Sequence, residues 1–182
     1  MLASSFCGRR ACLQLRSLTP SATLNKAKRS FCSREAFIDK AKRLNDCQAL
    51  LGAFVSVGRF DACLEEAGMT VTEISSDGTA TCELFVSDTL TNNYGTLHGG
   101  AIATLVDVVG TIALLGRDPT RAGVTIEMNQ TFMSAARPGD KAVILGSVLK
   151  YGGRLGFTQV DLRLGSPTGA LLATGRHTKM FT

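Results

Sequence analysis

The chain has 182 residues, 45% of them hydrophobic, which fits one folded domain or at most two and excludes a largely disordered protein. Its net charge of +5 is unevenly spread: residues 1–34 carry seven Lys or Arg and no acidic residue, whereas the rest carries thirteen basic against fifteen acidic residues and nets −2. A near-neutral body argues against nucleic-acid binding, and with no apolar run reaching the roughly 18 residues that span a bilayer, no membrane span is expected.

Residues 1–34 are rich in Arg, Ser and Leu, the composition of a mitochondrial transit peptide, in which a cationic amphipathic helix responds to an inside-negative potential. Arg9, Arg10 and Arg16 interrupt every apolar stretch that a secretory signal would need, and Arg29-Ser-Phe-Cys-Ser-Arg34 resembles a processing site. The expected location is the mitochondrial matrix. The alternative is a cytoplasmic protein whose basic tail is disordered or an over-extension of the gene model. In both cases residues 35–182 carry the fold. Three cysteines lie in the leader; Cys47, Cys63 and Cys82 lie beyond it. An odd number without a CxxC pair, in a chain with two histidines, suggests reduced structural thiols and neither disulfides nor zinc.

Residues 36–56 read as a helix with mixed faces, packed on the outside of the domain. From Gly68 the period changes to two: MTVTEIS and TATCELFVS alternate apolar and polar around Asp77-Gly78, a hairpin signal. A loop follows, and then Gly99 to Leu115, apolar on nearly all faces. That segment is too long for a strand and reads as a buried central helix. Four more strands are predicted within 123–133, 141–152, 155–164 and 170–181. Arg137-Pro-Gly-Asp140, Gly152-Gly153 and Gly165-Ser-Pro-Thr-Gly169 separate them. The predicted class is α+β, about six antiparallel strands wrapped on one long helix.

Asp107 stands in the middle of that helix between Val106 and Val108. An unpaired carboxylate in a core is costly, so it is either a satisfied or solvent-touching structural residue, or a general base in an apolar surround. At the helix entry, His98-Gly99-Gly100 places uncovered N–H groups at the positive end of the helix dipole, where an oxyanion would be stabilised. The same glycines could merely permit a tight turn. Gly99 and Asp107 are eight residues apart, about 12 Å along the axis at 1.5 Å per residue. They cannot reach one carbonyl from one helix. If both are catalytic, the site is shared between two antiparallel copies, which predicts a dimer.

Asn92-Asn-Tyr-Gly-Thr-Leu-His-Gly-Gly-Ala-Ile-Ala-Thr-Leu-Val-Asp107 resembles the signature of the hotdog-fold acyl-CoA thioesterases. The likeness extends through Gly123-Val-Thr-Ile-Glu-Met-Asn129, the Phe132-Met-Ser-Ala segment and the ending Gly175-Arg-His-Thr-Lys179, so it covers roughly residues 36–180. It implies a hotdog fold, dimers paired into a homotetramer, and hydrolysis of medium- to long-chain fatty acyl-CoA to fatty acid and CoA without a cofactor. In the family's pattern His98 and Asn92 hold and polarise the thioester, and the Gly99 N–H faces its oxygen. Asp107 of the opposite subunit activates water, and a hydroxyl that orients this water falls at Thr125, where the family usually has Ser. The CoA-contacting segments match Phe132, Met133, Ser134, Ala135, Ala136 and Arg137; Lys150, Tyr151, Gly152, Gly153, Arg154 and Leu155; and Met180. Arg154 stands one place later than the family's basic residue, and Lys150 and Arg154 also read as solvated hairpin charges.

What the chain lacks agrees with a water nucleophile: it has no GxSxG elbow, P-loop, HExxH or GxGxxG after a strand. Two other readings keep the fold and change the function. One is a hotdog hydratase or dehydratase working at the α and β carbons through His98; the other is a non-catalytic acyl-CoA-binding module. An RNA-binding protein, suggested by overall charge alone, fits poorly with the neutral body and 6% aromatic content. His177, in the last strand, reads as structural.

Overall fold

Helix α1 runs over residues 39–50 in the computed structural model, which describes residues 39–50, 52, 60 and 62–181. The 1–34 leader and residues 36–38, 51 and 53–56 of the first predicted helix lie outside the described residues. Leu44, Cys47 and Leu50, at helical spacing, turn toward the core, and the charged face stays in solvent. Two polar contacts fasten α1 to the domain. Gln48 Oε1 accepts from the Val71 N–H at 3.0 Å, and Arg43, paired with Asp39 at 2.8 Å, donates to the Gly116 carbonyl. A five-residue helix, α2 (Ala62–Glu66), follows.

Six strands form one antiparallel sheet: β1 (Thr70–Ile74), β2 (Thr79–Phe85), β3 (Val124–Phe132), β4 (Lys141–Tyr151), β5 (Leu155–Leu164) and β6 (Leu171–Met180), in the order β1-β2-β4-β5-β6-β3. The β1–β2 turn closes where expected. Asp77 Oδ1 accepts from the Thr79 N–H at 3.0 Å, and Gly78 takes φ +94 under Val148, whose Cβ would lie 2.7 Å from any Cβ there. Helix α3 (Gly99–Arg117) packs against all six strands of the sheet. Leu105, Val106, Val109, Ile112 and Leu114 are fully enclosed, and the close approach is set by Gly175, where a Cβ would meet Val106 Cγ1 at 2.9 Å. Burial of Cys82 in this core pushes its thiol up to about 12, so it stays protonated and inert.

One expectation changes. The central helix extends to Arg117 instead of ending at Leu115, and its best 18-residue window reaches a mean hydropathy of 1.8, enough by length and composition for a membrane span. Here 61% of that window is buried by the surrounding protein, which is how a core helix acquires such a composition. Strand β3 does not alternate: none of its residues is buried, and it ends the sheet. Ile126 and Phe132 are about half exposed on this open edge.

Candidate active site

Asp107 is placed by the middle of α3 so that its carboxylate faces the last two strands of the sheet, β6 and β3. Its Oδ1 accepts from Thr125 Oγ1 at 3.1 Å, lies 3.2 Å from His177 Nε2 and 3.5 Å from Lys179 Nζ. Thr125 Oγ1 and His177 Nε2 are themselves 2.9 Å apart, and Lys179 Nζ donates to Thr111 Oγ1 at 2.9 Å. Thr111, one turn along the helix, donates to the Asp107 carbonyl at 2.8 Å. The expectation of an apolar surround is therefore corrected: the neighbours are two hydroxyls, an imidazole and an ammonium, and 39% of the Asp107 side chain is exposed in the single chain. Among the described residues its Oδ2 makes no hydrogen bond.

Register explains why these groups meet. Thr125 pairs with Lys179, and His177 stands two residues earlier in β6, so both project from the same face toward α3. His177 is 1% exposed, and desolvation holds its pKa below the usual imidazole value against the opposing pull of Asp107. The neutral ring with its proton on Nε2 donates to Thr125, which in turn donates to Asp107. Nδ1 is then left buried with no hydrogen-bond partner among the described residues. Gly110 makes room for it, since a Cβ there would fall 2.8 Å from Nδ1 and 2.7 Å from Thr158 Oγ1. His177, read from the sequence as structural, lies against the Asp107 carboxylate, and Lys179 and Thr111 were not anticipated there.

The helix entry forms a second locus. His98 caps α3: its Nδ1 accepts from the Gly100 N–H at 2.8 Å, which fixes the proton of the neutral ring on the outward Nε2. Gly99, the first helical residue, keeps an N–H that the helix itself cannot satisfy. Gly99 lines an open cleft of ≈ 380 Å³ with Asn92, Thr96, Leu97, Ile102, Phe132, Met133, Ser134 and Ala135. Asn92 and Gly99 of the predicted polarising group thus share one cavity with Phe132, Met133, Ser134 and Ala135 of one CoA segment, and His98 is exposed beside them without lining it. Asn92 is partly engaged in its own turn, with Nδ2 donating to Thr96 Oγ1 at 3.0 Å and Oδ1 accepting from the Tyr94 N–H at 2.9 Å. Ala136 is buried away from the cleft, with its carbonyl on the Leu97 N–H, and exposed Arg137 donates its N–H to Asp140.

Asp107 and Thr125 do not line this cleft. The remaining predicted segment lies on their side. Leu155 and Val124 both pair with Met180, one residue beyond Lys179, and Gly152 to Arg154 form the turn between β4, which ends at Tyr151, and β5. Lys150 and Arg154 are exposed and have no ion-pair partner among the described residues.

The thioesterase superfamily model matches residues 94–170. Human acyl-coenzyme A thioesterase 13 is 49% identical over 105 residues, 58% of this chain and 74% of that protein. Among solved structures, zebrafish thioesterase superfamily member 2 superposes with a TM-score of 0.70 at 38% identity, covering 76% of this chain and 98% of that one. The mouse thioesterase superfamily member 2 gives 0.66 at 39% identity over 75% and 96% of the two chains.

Proposed function

Because this chain belongs to the thioesterase superfamily, and is a hydrolase acting on thioesters, we propose that it cleaves medium- to long-chain fatty acyl-CoA to free fatty acid and CoA using water activated by Asp107. The observation that carries this reading is the asymmetry of the Asp107 carboxylate. Oδ1 is held by Thr125, His177 and Lys179, and Oδ2 is left to take a proton from water. As the water oxygen bonds to the thioester carbon, the carbonyl oxygen gains charge opposite the Gly99 N–H and the His98 Nε2–H of a second copy. The carbon–sulfur bond then breaks, and the departing thiolate takes the proton held by Asp107. Thr125 orients the water; His177 is a positioning residue acting through Thr125; the Lys179 ammonium balances the carboxylate's charge.

The second copy is part of the proposal. One chain offers the base on α3 facing β3 and Gly99 and Asn92 in a cleft that Asp107 does not line, and its edge strand β3 exposes apolar residues that a partner strand would cover. Homodimers pairing into a homotetramer follow the family resemblance, as do CoA contacts along Phe132–Arg137, Lys150–Leu155 and Met180. No cofactor takes part in this scheme. The leader is proposed to direct the protein to the mitochondrial matrix. A tagged full-length chain should colocalise with the matrix and one lacking residues 1–34 should not; cytosolic staining of both would overturn this.

Thiol release measured with a thiol-reactive dye over a series of acyl-CoA chain lengths tests the reaction, with Asp107→Asn alongside the unaltered chain. Rapid release, lost in the variant while acyl-CoA still binds, is the expected result. Tight binding without release would replace the hydrolase by a binding module. Release that survives Asp107→Asn would remove Asp107 as the base, and double-bond hydration without release would favour a hydratase.

A further inference from the structure

One cluster brings two arginines from outside the predicted segments, Arg117 and Arg121, against the Tyr151 ring of the predicted β4–β5 segment and the Phe181 ring. Arg121, in the connection from α3 to β3, lies with its guanidinium 4.2 Å from the centre of the Phe181 ring and 5.6 Å from that of Tyr151. Arg117, in the last turn of α3, sits 5.6 Å from the Tyr151 ring on its own account. Tyr151 and Phe181 pack against each other at 4.9 Å between centroids. Arg121 Nη2 donates to the Gly153 carbonyl in the β4–β5 turn, beside Arg154. The Phe181 N–H, 2.9 Å from the Arg154 carbonyl, ties the chain end to the same turn.

The local charge is strongly positive. Arg121 faces the Asp118 carboxylate, which the Thr120 hydroxyl holds ionised while it accepts from Tyr151 Oη at 3.2 Å; Arg117 stands at the same ring and donates to the Asp77 carbonyl at 3.4 Å, and Arg154 belongs to the turn that Arg121 reaches. A guanidinium stacked on a ring is held flat and keeps its in-plane N–H groups directed outward, a geometry suited to phosphate and one that an ammonium does not reproduce. Position also favours a ligand that reaches toward the reacting centre. Phe181 lies two residues past Lys179, which contacts Asp107, so the ring under Arg121 is about 7 Å farther along an extended strand.

We propose that Arg121, backed by Arg117, grips the phosphates of the nucleotide end of acyl-CoA, and so makes the enzyme prefer CoA thioesters over thioesters that lack a nucleotide. This rests on the acyl-CoA reading above and adds to it two residues from outside the predicted CoA segments. The closer ring contact, 4.2 Å against 5.6 Å, assigns Arg121 the larger share and exposed Arg117 the smaller.

The test compares acyl-CoA with the same acyl group on pantetheine, using the full chain and the variants Arg121→Gln, Arg117→Gln and Arg121→Lys. For Arg121→Gln, kcat/KM on acyl-CoA should fall about tenfold, through KM, with less than a twofold change on acyl-pantetheine. Arg121→Lys should fall between the two, and Arg117→Gln should show the smaller loss. Equal losses on both substrates would mean a merely structural clamp and overturn the proposal, as would no loss on either. Calorimetric titration with adenosine 3′,5′-bisphosphate separates this from the hydrolytic reading. A Kd weakened about tenfold by Arg121→Gln supports the phosphate grip even in a chain that releases no thiol. Equal affinity in both proteins, or none in either, overturns it even in an active one.

Discussion

The two functional stretches of helix α3 solve opposite problems. Its first turn presents backbone: a Gly99 N–H that the helix itself cannot satisfy, beside an open cleft, and an exposed His98 ring that caps the helix through Nδ1. Its middle presents a side chain, Asp107, whose position depends on residues 18 to 72 places further along the chain. The first locus is local and tolerant, fixed by helix termination itself. The second is a long-range assembly that exists only when β3 and β6 are paired and seated on the helix. The difference teaches that one chain carries two unlike halves of a site, and that damage to each should be felt differently.

The sharpest way to break the symmetry is Asp107→Asn, which should lower kcat about a thousandfold while leaving acyl-CoA binding and the melting temperature nearly intact. Thiol release and a thermal melt on the same sample check it. His98→Ala should cost about a hundredfold, by loss of one donor to the carbonyl oxygen. Unlike Asp107→Asn, it removes a helix cap, so it should also lower stability by about 1 kcal/mol, visible in urea unfolding.

Subtler changes sharpen the long-range half. Gly110→Ala gains helix propensity yet places a Cβ 2.8 Å from His177 Nδ1, so a net loss of about 1–2 kcal/mol with a parallel fall in kcat is expected. The smallest effect is in pH. Burial depresses the folded pKa of His177 below its ordinary 6.5, so the unfolded chain takes up this proton first as the pH falls. The stabilisation is complete above about pH 6.5 and shrinks below it, levelling off under the folded value. Denaturant unfolding from pH 7.5 to 5 should therefore show a steeper loss for the unaltered chain than for His177→Gln.

Much of this fold could be read because local chemistry and global architecture agree. Asp77-Gly78 marked the first hairpin, and the run from Gly99 was apolar on too many faces to be anything but enclosed. The site divided along the same line as the helix. Asp107, His98 and Gly99 stood out as a charge in an apolar run and a glycine pair at a helix start, whereas His177 and Lys179 did not. A readable signal existed for them: Ala173, Gly175, His177 and Lys179 share the buried row of β6, so two polar residues occupy inward positions of one strand. What the sequence could not supply is the partner, because Asp107 is 70 residues before His177 and faces it only through the packing of α3 on β6. Helix α2 escaped notice because five residues carry no periodicity.

The central claim, that each active site joins Asp107 of one copy to His98 and Gly99 of another, is tested by mixing two inactive variants. Asp107→Asn and His98→Ala chains are unfolded together, refolded at equal amounts and assayed for thiol release. A shared site leaves one intact constellation in every mixed dimer, so activity should recover to about a quarter of the unaltered level with random pairing. Activity that stays at the average of the two variants refolded separately would contradict the account and return both halves to a single chain.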